Sequence, residues 1–177
     1  MQQARRFMLT AATIVLAATS LTLSACGKAE PTAQTQPAAP AWVLAAAPDG
    51  AVGIAESKAN AGEGDTVIIR GRIGGRAEPL ADDSPIFMIM DLSIPHCGEN
   101  PGDACPVPWD YCCEQPATIA ANAATVQLVD ADGATAASSP ASHGFKPLDE
   151  VIVIGTVAPR PEPTVLTIRA TGVYRVD

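Results

Sequence analysis

The chain has 177 residues, a formal charge of −8 and a sequence pI near 4.6, which suits one domain and opposes binding to phosphate backbones. Nucleic acid is therefore not an expected partner. Aromatic residues make up only 4%, so the core must be built from Val, Ile and Leu. The chain also lacks a serine nucleophile elbow, a His–carboxylate pair in motif spacing and a glycine-rich phosphate loop, so it is expected not to be an enzyme.

The first predicted element is an export signal. Arg5 and Arg6 supply a basic start, Met8–Leu23 an apolar run, and Leu23-Ser24-Ala25-Cys26 a small-residue cleavage site. On these residues the chain resembles bacterial lipoproteins. The resemblance implies that residues 1–25 are a lipoprotein signal peptide and that Cys26 becomes the first mature residue, acylated (palmitate included) on its sulfur and its new amine. It places the mature protein in the cell envelope, held to the membrane by lipid and facing the periplasm. A run of this length falls short of the roughly 20 residues of a spanning helix, whereas several acyl chains anchor stably. Gly27, where many inner-membrane lipoproteins carry Asp, points to the outer rather than the inner membrane. Removing 25 of the 177 residues leaves 152, and losing Arg5 and Arg6 takes the formal charge from −8 to −10.

Residues 26–48, rich in Ala, Pro, Thr and Gln, read as a flexible tether. Within it the apolar triplet Trp42-Val43-Leu44 reads as docking on the domain that occupies residues 49–177, with contact to lipid headgroups as the alternative. Ala51–Ala61 predicts a short helix, stopped by Gly62 and Gly64. β-Branched runs bounded by Gly, Pro and Asp then predict strands at Thr66–Ile73, Phe87–Ser93, Thr125–Val129, Val151–Val157 and Val165–Val176. Phe145–Glu150 leaves room for a turn or two of helix before the fourth. Met88 and Met90, in a strand with Phe87 and Ile89, read as core before they read as copper-binding thioethers.

Five strands without βαβ crossovers predict an all-β domain: a small five-stranded antiparallel barrel, with a β-sandwich as the alternative. This order of elements resembles an OB-fold over Asp65–Val176. Gly71-Arg72-Ile73-Gly74-Gly75, Met90-Asp91 and Pro108-Trp109-Asp110-Tyr111-Cys112-Cys113 are in addition similar to a family of uncharacterised exported bacterial proteins. That likeness implies no activity. Arg70, Arg72 and Arg76 read as solvent-facing strand residues, with Arg72 paired to Asp91 or Asp110.

The loop 96–113 holds Cys97, Cys105, Cys112 and Cys113, spaced C-x7-C-x6-C-C. In an oxidising compartment these are disulfide candidates. A direct Cys112–Cys113 bond would close a strained ring, so each is expected to reach back to Cys97 or Cys105. Such a brace is worth about 3 kcal/mol per bridge. The alternatives are a redox-active dithiol, or a zinc or copper site formed by the four cysteines with His96, and Asp110 beside it, as further donors. Trp109, Asp110 and Tyr111 form a possible recognition surface, although Trp109 and Tyr111 read first as covering the disulfides and capping the barrel.

The sequence thus predicts a membrane-anchored extracytoplasmic lipoprotein with a cofactor-free, non-catalytic binding or scaffold domain that contacts another envelope component, an envelope protein being the candidate partner. The alternative is a periplasmic metal-binding lipoprotein that uses the cysteine cluster.

Overall fold

The computed structural model describes residues 39–176 apart from 100, 101 and 103. The expected export signal, Cys26 and most of the expected tether lie outside the described residues. The elements in chain order are β1 (Val52–Gly53), α1 (Ile54–Asn60), β2 (Thr66–Ile73), β3 (Ile86–Met90), α2 (Pro116–Asn122), β4 (Ala123–Leu128), β5 (Glu150–Val157) and β6 (Thr167–Arg175).

Strand formation follows side-chain alternation. In β2, Val67, Ile69, Gly71 and Ile73 are buried while their neighbours are partly or fully exposed, the period of a half-buried strand. β4 repeats it with Ala124, Val126 and Leu128 inside. The strands lie in the order β2-β3-β4-β6-β5, and β5 pairs back onto β2 from Thr66↔Thr156 to Arg72↔Glu150, closing the barrel. Closure removes the exposed edges that a sandwich would keep.

One expectation needs correcting: the barrel is mixed, not antiparallel. β4 and β6 run parallel, with Val126 opposite Ile168. The reason is parity. Directions cannot alternate all the way round a ring of five strands, so at least one neighbouring pair must be parallel. The two-residue β1 also adds in parallel to β2.

The core of Ile69, Ile73, Phe87, Ile89, Val126, Leu128, Val153 and Ile168 fills the barrel, aliphatic as the composition requires. Trp42 joins it. The segment 42–44 lies along β6, with Val173 N–H donating to Trp42 O at 2.7 Å and Leu44 N–H to Val173 O at 2.9 Å. Phe145 lies in the connection before β5, where the structure has a 3-10 turn at Ala141–His143 in place of the expected helical connector.

α1 lacks a local side-chain cap. Its free N–H groups are met instead by Asp91, just past the end of β3, whose Oδ2 accepts from Ala55 N–H at 3.1 Å while Oδ1 accepts from Ser93 N–H at 2.9 Å. A Cβ on Gly53 would lie 2.9 Å from that Oδ2, so the close approach requires glycine. Burial alone would raise the Asp91 pKa, but hydrogen bonds from Ser93, Ala55 and Ile54 outweigh it and hold the carboxyl below 3.8. A carboxyl with a depressed folded pKa adds stability above its unfolded pKa and loses it as pH falls through the folded value. Asp91→Asn is expected to cost about 1.5 kcal/mol at pH 7. Urea melts at pH 7 and pH 3 check this: the gap between the variant and the natural protein narrows in acid, and an unchanged gap would refute a charge-based cap.

At the other end of α1, Lys58 Nζ donates to Ala120 O and, at 2.7 Å, to Thr164 O. Arg160 Nη1 donates to Ala61 O at 2.6 Å and to Lys58 O at 3.1 Å. These two cations tie α1 to α2 and to the β5–β6 loop. Burial, with the Arg160 charge adding to it, pushes the Lys58 ammonium down to about 8.

Candidate functional site

The long connection from β3 to β4 carries the cysteine loop and α2. Two of its segments clamp each other through backbone hydrogen bonds: Cys97 N–H donates to Asp110 O at 2.9 Å and Gly98 N–H to Pro108 O at 3.0 Å. The clamp is fastened to the end of β2, where Gly75 N–H donates to Trp109 O at 3.1 Å. A Cβ on Gly74 would lie 2.6 Å from that same carbonyl, which explains why Gly74-Gly75 follows the strand. Trp109 Nε1–H donates to Ala77 O at 2.9 Å, and its ring is half-buried.

Of the two readings of Tyr111, the covering role agrees with its burial and the surface role does not. With its side chain 0% exposed, it is no part of a recognition surface; it is the buried plug beneath the loop, edge-on to His96 with ring centroids 6.4 Å apart. Burial raises its phenol pKa, and Arg72 beside it pulls the other way. Asp110 is half-buried, and its Oδ1 accepts from Tyr111 N–H at 2.8 Å. Arg72 faces neither Asp91 nor Asp110: its Nη1 lies 3.2 Å from Glu99 Oε1, a partner the sequence reading missed.

The four sulfurs converge. Cys97 Sγ lies 3.5 Å from Cys112 Sγ and 3.6 Å from Cys113 Sγ, while Cys105 Sγ lies 3.9 Å from Cys112 Sγ. A disulfide needs about 2.05 Å, so the disulfide-braced loop of the sequence reading is not what this structure contains. Cys97 and Cys112 each contact two other sulfurs, and the loop is held by its backbone clamp and by Tyr111. Cys97 is buried at the base of the cluster, Cys105 is intermediate, and Cys112 and Cys113 are exposed. Burial acts to raise the Cys97 pKa, but hydrogen bonding from the Cys113 backbone and from the thiols of Cys112, Cys113 and Cys105 brings it below 9.0. The contact with Cys97 foremost pushes Cys112 up to about 11.

His96 adjoins the cluster in sequence but is engaged elsewhere. Its Nδ1 lies 2.7 Å from Pro108 O and its Nε2 3.2 Å from Glu99 Oε1, so neither nitrogen is available as a ligand in this arrangement. A separate groove of about 490 Å³ runs between α1 and β2, lined by Val52, Glu56, Ser57, Asp65 and Thr66, and shares no residue with the cysteine loop. No helix among the described residues is long and apolar enough to cross a membrane.

No family model matches the sequence, and no curated protein matches it. Among solved structures the chain is similar to that of the hypothetical protein ygiW from E. coli, at 18% identity over 73% of this chain and 94% of that one. The TM-score is 0.37, a likeness too low to bear on function.

Proposed function

We propose that this is a lipid-anchored envelope protein whose barrel serves as a non-catalytic binding domain, with the loop 96–113 as its binding end. The observation that carries the reading is the construction of that loop. Backbone hydrogen bonds from Cys97 to Asp110 and from Gly98 to Pro108 join its two ends, Gly74 and Gly75 seat the Trp109 end on the barrel, and Cys112 and Cys113 remain exposed on it. A loop pinned at its base on a barrel is how small barrels present binding groups. The closed strand order is that of an OB-like barrel, which supports the same reading.

The anchor is Cys26, at the end of the Leu23-Ser24-Ala25-Cys26 motif. The docked segment at Trp42 marks where the tether joins the body. Gly27 at the second mature position favours the outer over the inner membrane, and the lipoprotein resemblance supports a barrel that faces the periplasm. Cys26→Ser is expected to move the protein from the membrane to the soluble fraction of the cell while leaving its thermal midpoint within about 1 °C. Fractionation with thermal melts tests this, and a variant that stays with the membrane overturns the anchor.

A further inference from the structure

We propose that the sulfurs of Cys97, Cys105 and Cys112 form a three-thiolate site for one Zn²⁺ ion, with the fourth coordination position open to solvent. This deepens the reading of loop 96–113 as the binding end, and rests on it.

The three Sγ atoms all lie within 4.8 Å of one another. A tetrahedral zinc–thiolate centre has metal–sulfur bonds of about 2.3 Å, which sets its sulfurs about 3.8 Å apart. The Cys97–Cys112 and Cys105–Cys112 separations of 3.5 and 3.9 Å bracket that edge. The ion would thus find its ligands close to their final spacing, with side-chain rotation in place of loop refolding.

The surroundings fit the same chemistry. Cys97 sits on the backbone clamp to Asp110, so the innermost ligand is fixed by structure outside the ion's own shell. The exposed Cys112 leaves an entry path from solvent, and the formal charge of −8 attracts cations. Cys113 touches Cys97 at 3.6 Å but falls outside the mutually close trio. His96 is withheld by Pro108 and Glu99. As the ion binds, three S–H bonds release their protons to solvent and three metal–sulfur bonds form, with no change of oxidation state.

The competing arrangement is a pair of disulfides, either Cys97 with Cys113 and Cys105 with Cys112 or Cys97 with Cys112 and Cys105 with Cys113; Cys97 lies 3.5 Å from Cys112 and 3.6 Å from Cys113. The two accounts differ in what Cys113 does. The test titrates Zn²⁺ into the reduced, detergent-solubilised full chain against a chromophoric chelator, followed by alkylation and mass analysis. One zinc per chain is expected, with Cys97, Cys105 and Cys112 protected from alkylation. Cys105→Ser and Cys112→Ser should each weaken zinc binding at least ~100-fold, while Cys113→Ser changes it less than about threefold. These variants alter partly or fully exposed positions, so they carry the test even where Cys97→Ser fails to fold. Absence of stoichiometric zinc overturns the proposal, as does an equal loss in Cys113→Ser and Cys105→Ser. A chain that binds no zinc but still sits in the envelope removes the metal alone, whereas a chain that binds zinc but is found in the cytoplasm removes the anchored reading instead.

Discussion

Replacing Gly155 with alanine is expected to cost about 3 kcal/mol, the upper end of what overpacking a core exacts, and to lower Tm by about 10 °C. Gly155 lies in β5 between β2 and β6, opposite Val67 on one side and Ala170 on the other. The pairing with β6 shifts register between Ile154 and Gly155, a bulge of the kind that bends strands at barrel corners. A Cβ there would run into the Arg169 carbonyl and stand 2.7 Å from Ala170 Cα and 2.8 Å from Ile168 Cγ2. Two of these obstacles are backbone atoms of a paired strand, so relief requires breaking the ladder that closes the barrel. Gly62→Ala is the matched control: its Cβ would make one ordinary contact, 3.5 Å from Asp65 Oδ2, and Tm is expected to stay within about 1 °C. Thermal melts of the two variants side by side decide the point, and equal midpoints would show that the bend tolerates a side chain.

Trp42→Ala should be comparably severe, with a loss of about 3–5 kcal/mol for a buried tryptophan. Trp42 is 1% exposed although it belongs to a stretch whose composition reads as linker. Its ring packs edge-on to His143 at 5.3 Å between centroids and against Phe145 at 6.0 Å. Its backbone carbonyl takes the Val173 N–H, so removing the ring should also loosen the strap along β6. Trp42→Phe keeps most of the apolar contact and eliminates an indole N–H that has no hydrogen-bond partner; its cost is expected to be under half that of the alanine variant. Chemical denaturation of both variants tests this. A Trp42→Ala protein with an unchanged midpoint would mean that the segment 42–44 is a tether after all.

Strands were legible wherever β-branched residues alternate with polar ones: β2 begins and ends at Thr66 and Ile73 as the pattern indicates. Their closure was legible in outline, but the parallel β4–β6 pair follows from a ring constraint that no local window contains. α2 escaped because none of its residues is buried, so it has no apolar period; Pro116 at its first position was the available signal. The Asp91 cap escaped because it reaches α1 from 36 positions away in sequence.

At the site, spacing identified the four cysteines as a group but not how their sulfurs share contacts. His96 stands next to Cys97 in sequence, yet its ring is taken up by Pro108 and Glu99. Tyr111 stands between polar Asp110 and exposed Cys112, yet is wholly buried. In both cases adjacency along an irregular loop says little about direction, because the backbone turns between neighbours.

The most direct test of an envelope-anchored binding protein is the mass of its mature amino terminus. Trypsin cuts after Lys28, so membrane-extracted protein should yield the peptide Cys26-Gly27-Lys28 bearing acyl chains on the cysteine sulfur and amine. An unmodified Cys26, or a chain that still begins upstream of it, would contradict the account.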